Sequence, residues 1–474
     1  MLRGVACRRG ADGRPGLFSE AGLVPAGASG ACRVGPETPV YRFSSSGCFV
    51  AEARLDNRDD VARRLGLAPE AVRRMPDEAL LARAYDAWGM RCGEHLVGAW
   101  AFAAWEEASR QLVLGRDALG LASLYYCATP EHVFFAARLP ALLALAARPR
   151  RLNLTALAQL TYGSKRDTST FYEDVYKVPP AQMLTFRGGD APRRHRYWDP
   201  GEAPAVRLQS DAAYREAFMT LYDEAVACRL RGASPVGITL SGGLDSGSVA
   251  ALAAPRLAAH DERLRAYTWV PGRDTPAVPA DRRTPDELGN ARALADFVGN
   301  IDVTPVRGYP LGPLGAVRRM LDVTEEPTNA LAGWSWYYGV WLQASRDGIR
   351  TLLTGELGNY TVSLARKEAG RSRWQDLRDR VRRRLNAARR GVPVHARLIV
   401  RPAFARPLLA AAERTDPALT ERWRQAPQPL RSFYNLLQSG GVSVSREIAA
   451  DLGMDLRIPA MDRRLVDFCL GLPP

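Results

Sequence analysis

A short apolar strand runs into a turn of glycine, serine and aspartate at residues 236–246, Val-Gly-Ile-Thr-Leu-Ser-Gly-Gly-Leu-Asp-Ser. A helix rich in small residues follows, so backbone N–H groups and the positive end of the helix dipole should converge on the turn. Gly242 and Gly243 let the backbone approach an anion without a Cβ in the way. The pattern predicts a phosphate-binding turn that Leu240 enters from the strand.

Hydroxyl and carboxylate groups extend this prediction to a metal-assisted site. Ser241 and Ser246 can donate hydrogen bonds to phosphate oxygens, and Asp245 can hold a divalent cation that bridges those oxygens. No Gly-Lys-Ser/Thr follows and Gly-x-Gly-x-x-Gly is absent, which excludes a Walker loop and a dinucleotide fingerprint. A purely structural strand–turn–helix joint is the alternative, but such a joint requires neither the two serines nor the acid.

The string Ser-Gly-Gly-Leu-Asp-Ser at 241–246 resembles the pyrophosphate-binding loop of the N-type ATP pyrophosphatases, whose members include the asparagine synthetases. The resemblance implies ATP and Mg²⁺ as cofactors, and cleavage of ATP into AMP and pyrophosphate. It also implies that backbone groups of Thr268 and Val270 flank the adenine. Asp286 and Glu287 begin a helix that borders the nucleotide in this family, although helix capping alone explains them equally well.

Residues 208–474 alternate strands with helices, which predicts an α/β domain with a doubly wound parallel sheet, the ATP pyrophosphatase domain. Ligands of such sheets bind beyond the carboxyl ends of the strands, so Ser241, Val270 and Gly355 should face one crevice. The expected elements are a helix over 212–231, strands over 236–241, 264–270 and 350–355, and a helix from 286 to 297.

The last of these strands delivers an acid, Glu356, within Thr-Gly-Glu-Leu-Gly-Asn. Asparagine synthetases carry Gly-Glu-Gly-Ser-Asp here, so the resemblance implies a catalytic role for Glu356 and a metal-binding role for Asn359. An amide oxygen still coordinates Mg²⁺, but without charge. We therefore predict Glu356 and Asp245 as catalytic residues, Asp245 and Asn359 as metal ligands, and Gly355 as a nucleotide contact. A surface carboxylate is the alternative for Glu356.

Residues 1–200 are rich in β-strand patterns and are predicted to form an α+β domain. Their motifs Arg-Leu-Asp-Asn-Arg-Asp at 54–59 and Gly-Ala-Trp-Ala-Phe at 98–102 resemble the glutaminase domain of class II glutamine amidotransferases. The expected elements are a strand over 47–55, a helix over 77–88, a hairpin of strands over 98–105 and 111–115, and a strand over 132–137.

One position departs from that glutaminase pattern. The class needs a cysteine at position 2, whose freed α-amino group serves as the base. Here position 2 is Leu2, and Cys7 lies too far inside to have a free amine. We expect a degenerate, catalytically silent domain that supplies no ammonia from glutamine.

The composition suits a globular protein of two or three domains, since 474 residues exceed one ordinary domain and 46% are hydrophobic. No run of about eighteen apolar residues is present, so no membrane segment is expected. The N-terminus lacks the apolar core of a secretory signal. Seven cysteines are scattered without a Cys-x-x-Cys, which favours a reducing cytoplasm over a disulfide framework or a zinc site.

The net charge of +14 raises the possibility of a nucleic-acid partner. The basic residues are densest over 366–401, where apolar residues recur at helical spacing, so a solvated helix face is the better interpretation. The aromatic interleaving of single-strand binders is missing. We therefore expect an acidic peptide or a nucleotide phosphate as partner, with no nucleic acid and no membrane.

The nature of the substrate depends on a narrower resemblance. The segments at 358–363 and 456–473 resemble those of the lasso peptide cyclases. That resemblance implies adenylation of an Asp or Glu side chain of a precursor peptide and attack by the N-terminal amine of the same peptide, which closes a macrolactam. It also implies possible association with a leader-removing cysteine protease and a leader-binding protein.

Alternatives to this assignment remain open at the level of sequence. An ammonia-using asparagine synthetase and a β-lactam synthetase fit the same loop, as does a non-catalytic peptide-binding relative. Four aromatic residues could line a peptide cavity or equally pack in the core: Trp334, Trp336, Tyr337 and Tyr338. Family members continue beyond the Leu-Pro motif, so we expect the chain ending at Pro474 to be incomplete or inactive.

Overall fold

A computed structural model describes the chain as two antiparallel sheets followed by one parallel sheet with its helices. The residues it describes are 22–25, 40–43, 47–130, 132–147, 149–161, 168–187, 191–271, 286–307, 311–327, 331–364, 426–439 and 441–473. Leu2, Cys7 and the arginine-rich segment 366–401 lie outside this set, so the expectations about them stay predictions. None of the helices within the described set is long and apolar enough to span a membrane.

Antiparallel pairing organises the first part of the chain into a four-stranded sheet of order β1-β7-β6-β8 and a six-stranded sheet of order β10-β9-β5-β4-β3-β2. The strands are β1 (Gly22–Pro25), β2 (Tyr41–Phe43), β3 (Gly47–Leu55), β4 (Gly98–Glu106), β5 (Gln111–Arg116), β6 (Tyr125–Ala128), β7 (His132–Ala136), β8 (Tyr176–Lys177), β9 (Gln182–Arg187) and β10 (Arg193–Arg196). The helices are α1 (Arg58–Arg64), α2 (Pro69–Arg73), α3 (Asp77–Trp88), α4 (Cys92–His95), α5 (Leu139–Ala146) and α6 (Leu154–Thr161).

Strand β4 shows why these sheets stack. Successive side chains of a strand point to opposite faces, and both faces of β4 are apolar. Trp100 and Phe102 pack towards α1 and α3 in one core, whereas Ala103 and Trp105 pack against the four-stranded sheet in another. The predicted strand over 47–55, the helix over 77–88 and the β4–β5 hairpin are confirmed.

The second part of the chain wraps helices around a five-stranded sheet of order β13-β12-β11-β14-β15, in which every neighbouring pair is parallel. Its strands are β11 (Val236–Thr239), β12 (Leu264–Val270), β13 (Ile301–Arg307), β14 (Thr351–Thr354) and β15 (Asp455–Arg457). Its helices are α7 (Asp211–Leu230), α8 (Leu244–Ala258), α9 (Leu288–Val298), α10 (Gly312–Thr324), α11 (Leu331–Arg346), α12 (Gln428–Ser439), α13 (Gly441–Asp451) and α14 (Arg463–Gly471).

The strand order confirms the predicted doubly wound sheet and locates its switch point. The chain moves outward from β11 through β12 to β13, then returns to place β14 on the other side of β11. Ligands of such sheets bind outside the carboxyl ends of the strands at this reversal. The turn after β11 and the acid after β14 therefore lie where a ligand is expected.

A buried arginine connects the part of the chain with the antiparallel sheets to the part with the parallel sheet. The Arg229 guanidinium on α7 lies 3.3 Å from an Asp56 carboxylate oxygen and 3.0 Å from an Asp462 carboxylate oxygen, with all three side chains almost fully buried. The Cys228 thiol and these two carboxylates also lie within 4.8 Å of one another. Arg54 also pairs with Asp56 and Arg464 with Asp462, so arginines already balance both carboxylates. We therefore assign the group a structural role and not a metal-binding one.

A second buried polar group joins α13 to the four-stranded sheet. The Tyr125 hydroxyl lies 2.9 Å from Glu326 and 3.0 Å from Glu447, and Lys177 pairs with Glu326 at 2.5 Å. Burial, with the charge of Glu326 second, raises the pKa of Glu447 to about 7. The Tyr125 and Ser123 hydroxyls both donate to Glu447, and these two hydrogen bonds oppose the rise of its pKa.

Candidate active site

The turn between β11 and α8 is held in shape by its two serines. The Ser241 N–H donates to the Ser246 hydroxyl at 3.0 Å, and the two hydroxyl oxygens are 2.9 Å apart. The Gly243 N–H donates to the Ser241 hydroxyl at 3.2 Å. The serines therefore brace the turn as well as offering hydroxyl groups to a ligand.

Helix α8 presents free backbone donors beside this turn. Its first internal hydrogen bond runs from the Gly247 N–H to the Gly243 carbonyl at 3.1 Å. The N–H groups of Leu244, Asp245 and Ser246 consequently have no acceptor inside the helix. With the dipole of a 15-residue helix behind them, these groups suit the predicted binding of an anion, which stays a prediction.

Glycines at strand β14 and in the turn allow backbones to meet. A Cβ on Gly355 would lie 2.3 Å from the Ser246 nitrogen, so only glycine lets β14 end against the first turn of α8. A Cβ on Gly242 would lie 2.4 Å from the Asn290 Cβ on α9. Gly242 is therefore required by packing against α9, in addition to the predicted approach of an anion.

Asp245 carries an unsatisfied oxygen at this junction. Its Oδ1 is buried and has no hydrogen-bond partner among the described residues. A Cβ on Gly358 would lie 2.4 Å from the Asp245 Cγ, so the carboxylate sits directly against the loop after β14. A buried, unpaired carboxylate oxygen is costly unless a cation or donor binds it, so Asp245 fits the predicted role of metal ligand.

Glu356 lies two residues after the end of β14, the strand next to β11. The hydroxyls of Tyr337 on α11 and Ser445 on α13 both hydrogen-bond its carboxylate. Burial raises the pKa of Glu356 to about 7, and these two hydrogen bonds oppose the rise. Leu357 follows in a left-handed conformation with φ of 66°, a strained backbone for leucine that turns the chain sharply after the acid.

A cavity of about 690 Å³ connects these groups. Strand β11 and the turn after it contribute Thr239, Leu240, Ser241, Asp245 and Ser246 to its wall. The rest of the wall is formed by Trp269, Glu287, Trp336, Tyr337, Thr354, Gly355, Glu356, Leu357, Leu436, Val442 and Ser445. Every charged side chain in this described wall is acidic. The Thr239 hydroxyl is also buried and has no hydrogen-bond partner within the described part of the chain, which adds a polar atom available to a ligand.

The structure brings together some of the predicted site residues and separates others. Leu240, Ser241, Asp245, Ser246, Gly355 and Glu356 line the cavity. Gly242 and Gly243 are exposed and do not belong to the described cavity wall. Asn359 is exposed and outside the described cavity wall, so its predicted role as metal ligand gains no support and stays a prediction.

The predicted contacts of β12 with adenine depend on strand alternation. Thr268 and Val270 have buried side chains, whereas the half-buried Trp269 between them lines the cavity. Alternate residues of a strand face opposite ways, so Trp269 is the side chain that β12 offers to a ligand. Contacts through the backbone of Thr268 and Val270 stay a prediction. The Thr268 hydroxyl is buried without a partner in the described residues.

The aromatic residues of α11 were expected either to line a cavity or to pack in the core, and the structure shows both. Trp336 and Tyr337 line the cavity, while Trp334 and Tyr338 are buried in the core behind the sheet. Sequence reasoning missed Ser445 as a partner of Glu356. It lies in Ser-Val-Ser-Arg on α13, a stretch with no local signal of function.

Comparison with known proteins adds family relationships to this geometry. A family model described as asparagine synthase matches residues 217–474, and one described as a glutamine amidotransferase domain matches residues 30–198. The amidase chry2 of Gibberella zeae is 31% identical over 289 residues, which cover 57% of this chain and 40% of that protein. The glutamine-hydrolyzing asparagine synthetase 3 of Bacillus subtilis is 29% identical over 208 residues, which cover 44% of this chain and 33% of that protein.

The matches cover only part of these relatives, at most 40% of the length of either. Among solved structures, the glutamine phosphoribosylpyrophosphate amidotransferase of Bacillus subtilis, complexed with ADP and GMP, aligns with 67% of this chain and 64% of that chain. The sequence identity is 11% and the TM-score is 0.24.

Proposed function

The chain belongs to the asparagine synthase family, and from this premise we propose that it forms an amide bond at the expense of ATP, with AMP and pyrophosphate as products. The observation that carries the proposal is the meeting of the phosphate-binding turn and Glu356 in one cavity at the switch point of the sheet. The turn supplies anion donors and Asp245 a cation ligand, while Glu356 supplies a group that titrates near neutral pH.

Each part of the site has a task in this two-step reaction. A substrate carboxylate oxygen attacks the α-phosphorus of ATP, and the bond to the β-phosphate breaks. The N–H groups of α8 hold the phosphates as pyrophosphate leaves. Mg²⁺ held by Asp245 would supply charge neutralisation. An amine then attacks the acyl carbon, AMP leaves with the carboxylate oxygen, and Glu356 accepts a proton from the amine.

We further propose that the carboxylate belongs to an Asp or Glu side chain of a peptide, and that the amine is the N-terminus of the same peptide. The charged groups of the described cavity wall are Asp245, Glu287 and Glu356, all acidic. Free aspartate would bring an α-carboxylate that finds no basic partner in this wall. Trp269 and Trp336 instead suit the less charged surface of a peptide. The resemblance to lasso peptide cyclases supports the same choice.

Ammonia-dependent asparagine synthesis is the second candidate, and the similarity to asparagine synthetase 3 of Bacillus subtilis favours it. The two reactions share the adenylation step and differ in both acyl donor and amine. A β-lactam synthetase would differ again, because its product is a small ring. A non-catalytic peptide-binding relative would bind the peptide without consuming ATP.

Pyrophosphate–ATP exchange separates these candidates. The protein is incubated with labelled pyrophosphate, ATP and Mg²⁺, with either aspartate plus ammonium or synthetic peptides in which one Asp or Glu is moved along a neutral sequence. Exchange that depends on a peptide, with a product lighter than the peptide by one water, supports cyclisation. Asparagine formation would replace the peptide proposal by the second candidate. A lack of exchange with every donor would contradict the enzymatic proposal.

A further inference from the structure

One wall of the active-site cavity carries groups that the adenylation step does not use. Trp269 on β12 and Trp336 on α11 have ring centroids 6.4 Å apart, and both rings are half-buried in the cavity wall. Trp336 also stacks on the Tyr337 ring at 3.6 Å, which fixes its plane. Trp269 and Trp336 thus form an aromatic corner of the cavity, contributed by β12 and α11, next to Tyr337, which hydrogen-bonds Glu356.

Glu287 adds a negative charge to this corner. It is exposed, lines the cavity immediately before α9, and lies close enough to Tyr337 to contribute to the raised pKa of that phenol. Its carboxylate has no hydrogen-bond or ion-pair partner among the described residues. Helix capping does not explain it, because the Asp286 carboxylate already accepts from the Leu288 N–H at 3.0 Å.

The chemistry of this corner selects for a cation. Aromatic faces next to a carboxylate bind ammonium groups through the ring quadrupole and the opposite charge. No basic side chain of the described cavity wall competes for Glu287. The Asp245 carboxylate lies against the loop after β14 and has the predicted role of metal ligand. Glu356 is hydrogen-bonded to Tyr337 and Ser445, so Glu287 is the carboxylate of this wall left without an assigned task.

We propose that Glu287, Trp269 and Trp336 form a subsite for the nucleophile, which arrives as a primary ammonium group on an organic chain. This inference builds on the proposed amide-forming function. The bound ammonium gives one proton to the Glu356 carboxylate. The freed nitrogen lone pair attacks the acyl carbon, the bond to the AMP oxygen breaks, and the second proton leaves to solvent. Glu287 and the tryptophans thus position the amine, whereas Glu356 moves its proton.

Direct binding tests the subsite without requiring turnover. The probe is propylammonium, titrated calorimetrically into the ATP- and Mg²⁺-loaded protein, with propanol as the uncharged counterpart. We expect propylammonium to bind and propanol not to bind. Glu287→Gln and Trp336→Leu should each weaken propylammonium binding about tenfold. The matched control Asp286→Asn removes the neighbouring carboxylate and should leave propylammonium affinity unchanged.

Three results would each overturn the subsite. The first is equal binding of propylammonium and propanol. The second is an equal propylammonium affinity of the Glu287→Gln variant and the unmodified protein. The third is weaker Mg²⁺-dependent ATP binding in Glu287→Gln, which would make Glu287 a metal ligand. Failure of the amide-forming proposal is recognised separately. In that case pyrophosphate–ATP exchange is absent while propylammonium still binds and still depends on Glu287.

Discussion

Replacing Tyr337 by phenylalanine tests whether Glu356 works as a titrating base. The pKa of Glu356 is about 7 although Tyr337 and Ser445 both stabilise the charged form. A carboxylate that must be ionised to accept a proton makes amide formation rise with pH, with a midpoint near that pKa. Tyr337→Phe removes one of the two hydrogen bonds, so the pKa of Glu356 should move further up.

The size of the shift follows from the energy of the lost bond. A hydrogen bond to a charged group contributes about 1.5–3 kcal/mol, and 1.36 kcal/mol corresponds to about one pKa unit. The midpoint should therefore rise by about one to two units, to about 8–9. At pH 7 the ionised fraction of Glu356, and with it the rate of amide formation, should fall about 5- to 50-fold. Raising the pH should recover most of that loss.

The assay is the initial rate of AMP release with the peptide identified by exchange, measured across the pH range. Tyr338→Phe is the matched control, because Tyr338 is the next residue of α11 and its hydroxyl bonds Arg319 instead. If Tyr337→Phe lowers the rate of AMP release by the same factor at every pH and leaves the midpoint unchanged, Glu356 is not the titrating base.

Three further changes test other parts of the site and fold. Asp245→Asn should abolish AMP formation while leaving thermal unfolding nearly unchanged; normal turnover would remove Asp245 from the metal site. Gly355→Ala should lower exchange at least tenfold because its Cβ meets the Ser246 backbone, whereas Gly289→Ala, with open space at the Cβ, should leave exchange intact; equal effects would contradict the close-packing argument. The pKa of Glu447 is about 7 in the folded protein, whereas its ordinary value is 4.5. The folded protein therefore loses stability as the pH rises from about 4.5 to about 7. Glu447→Gln carries no titrating group, so above pH 7 its unfolding free energy should exceed that of the unmodified protein by at most about 3 kcal/mol relative to pH 4. If the denaturant midpoints of the variant and the unmodified protein differ by the same amount at pH 4 and at pH 8, this prediction is contradicted.

The local signals in the sequence located the ends of β11 and β14 and the residues they carry. Gly-rich turns and strand ends are determined by a few neighbouring residues, so the phosphate loop and Glu356 could be placed on one crevice. The alternation within β12 could have been used as well, since it points Trp269 to the cavity and turns the side chains of Thr268 and Val270 away from it.

Other parts of the site depend on contacts between distant segments. Ser445 reaches Glu356 from a helix 89 positions further along the chain, and nothing in its own neighbourhood marks it. The order of strands, which puts β15 beside β14, is likewise a non-local property. Within α11, neighbouring aromatic residues lie in the core and in the cavity wall. Only the packed structure could assign Trp336 to the cavity wall and Trp334 to the core.

In the proposed reaction, a substrate carboxylate becomes bonded to AMP before an amine displaces AMP. A peptide with both oxygens of its reactive carboxyl group replaced by a heavy isotope tests this most directly, with AMP and product analysed by mass spectrometry. We expect one heavy oxygen in AMP and the other in the carbonyl group of the new amide. AMP without the label, or label in pyrophosphate, would contradict it.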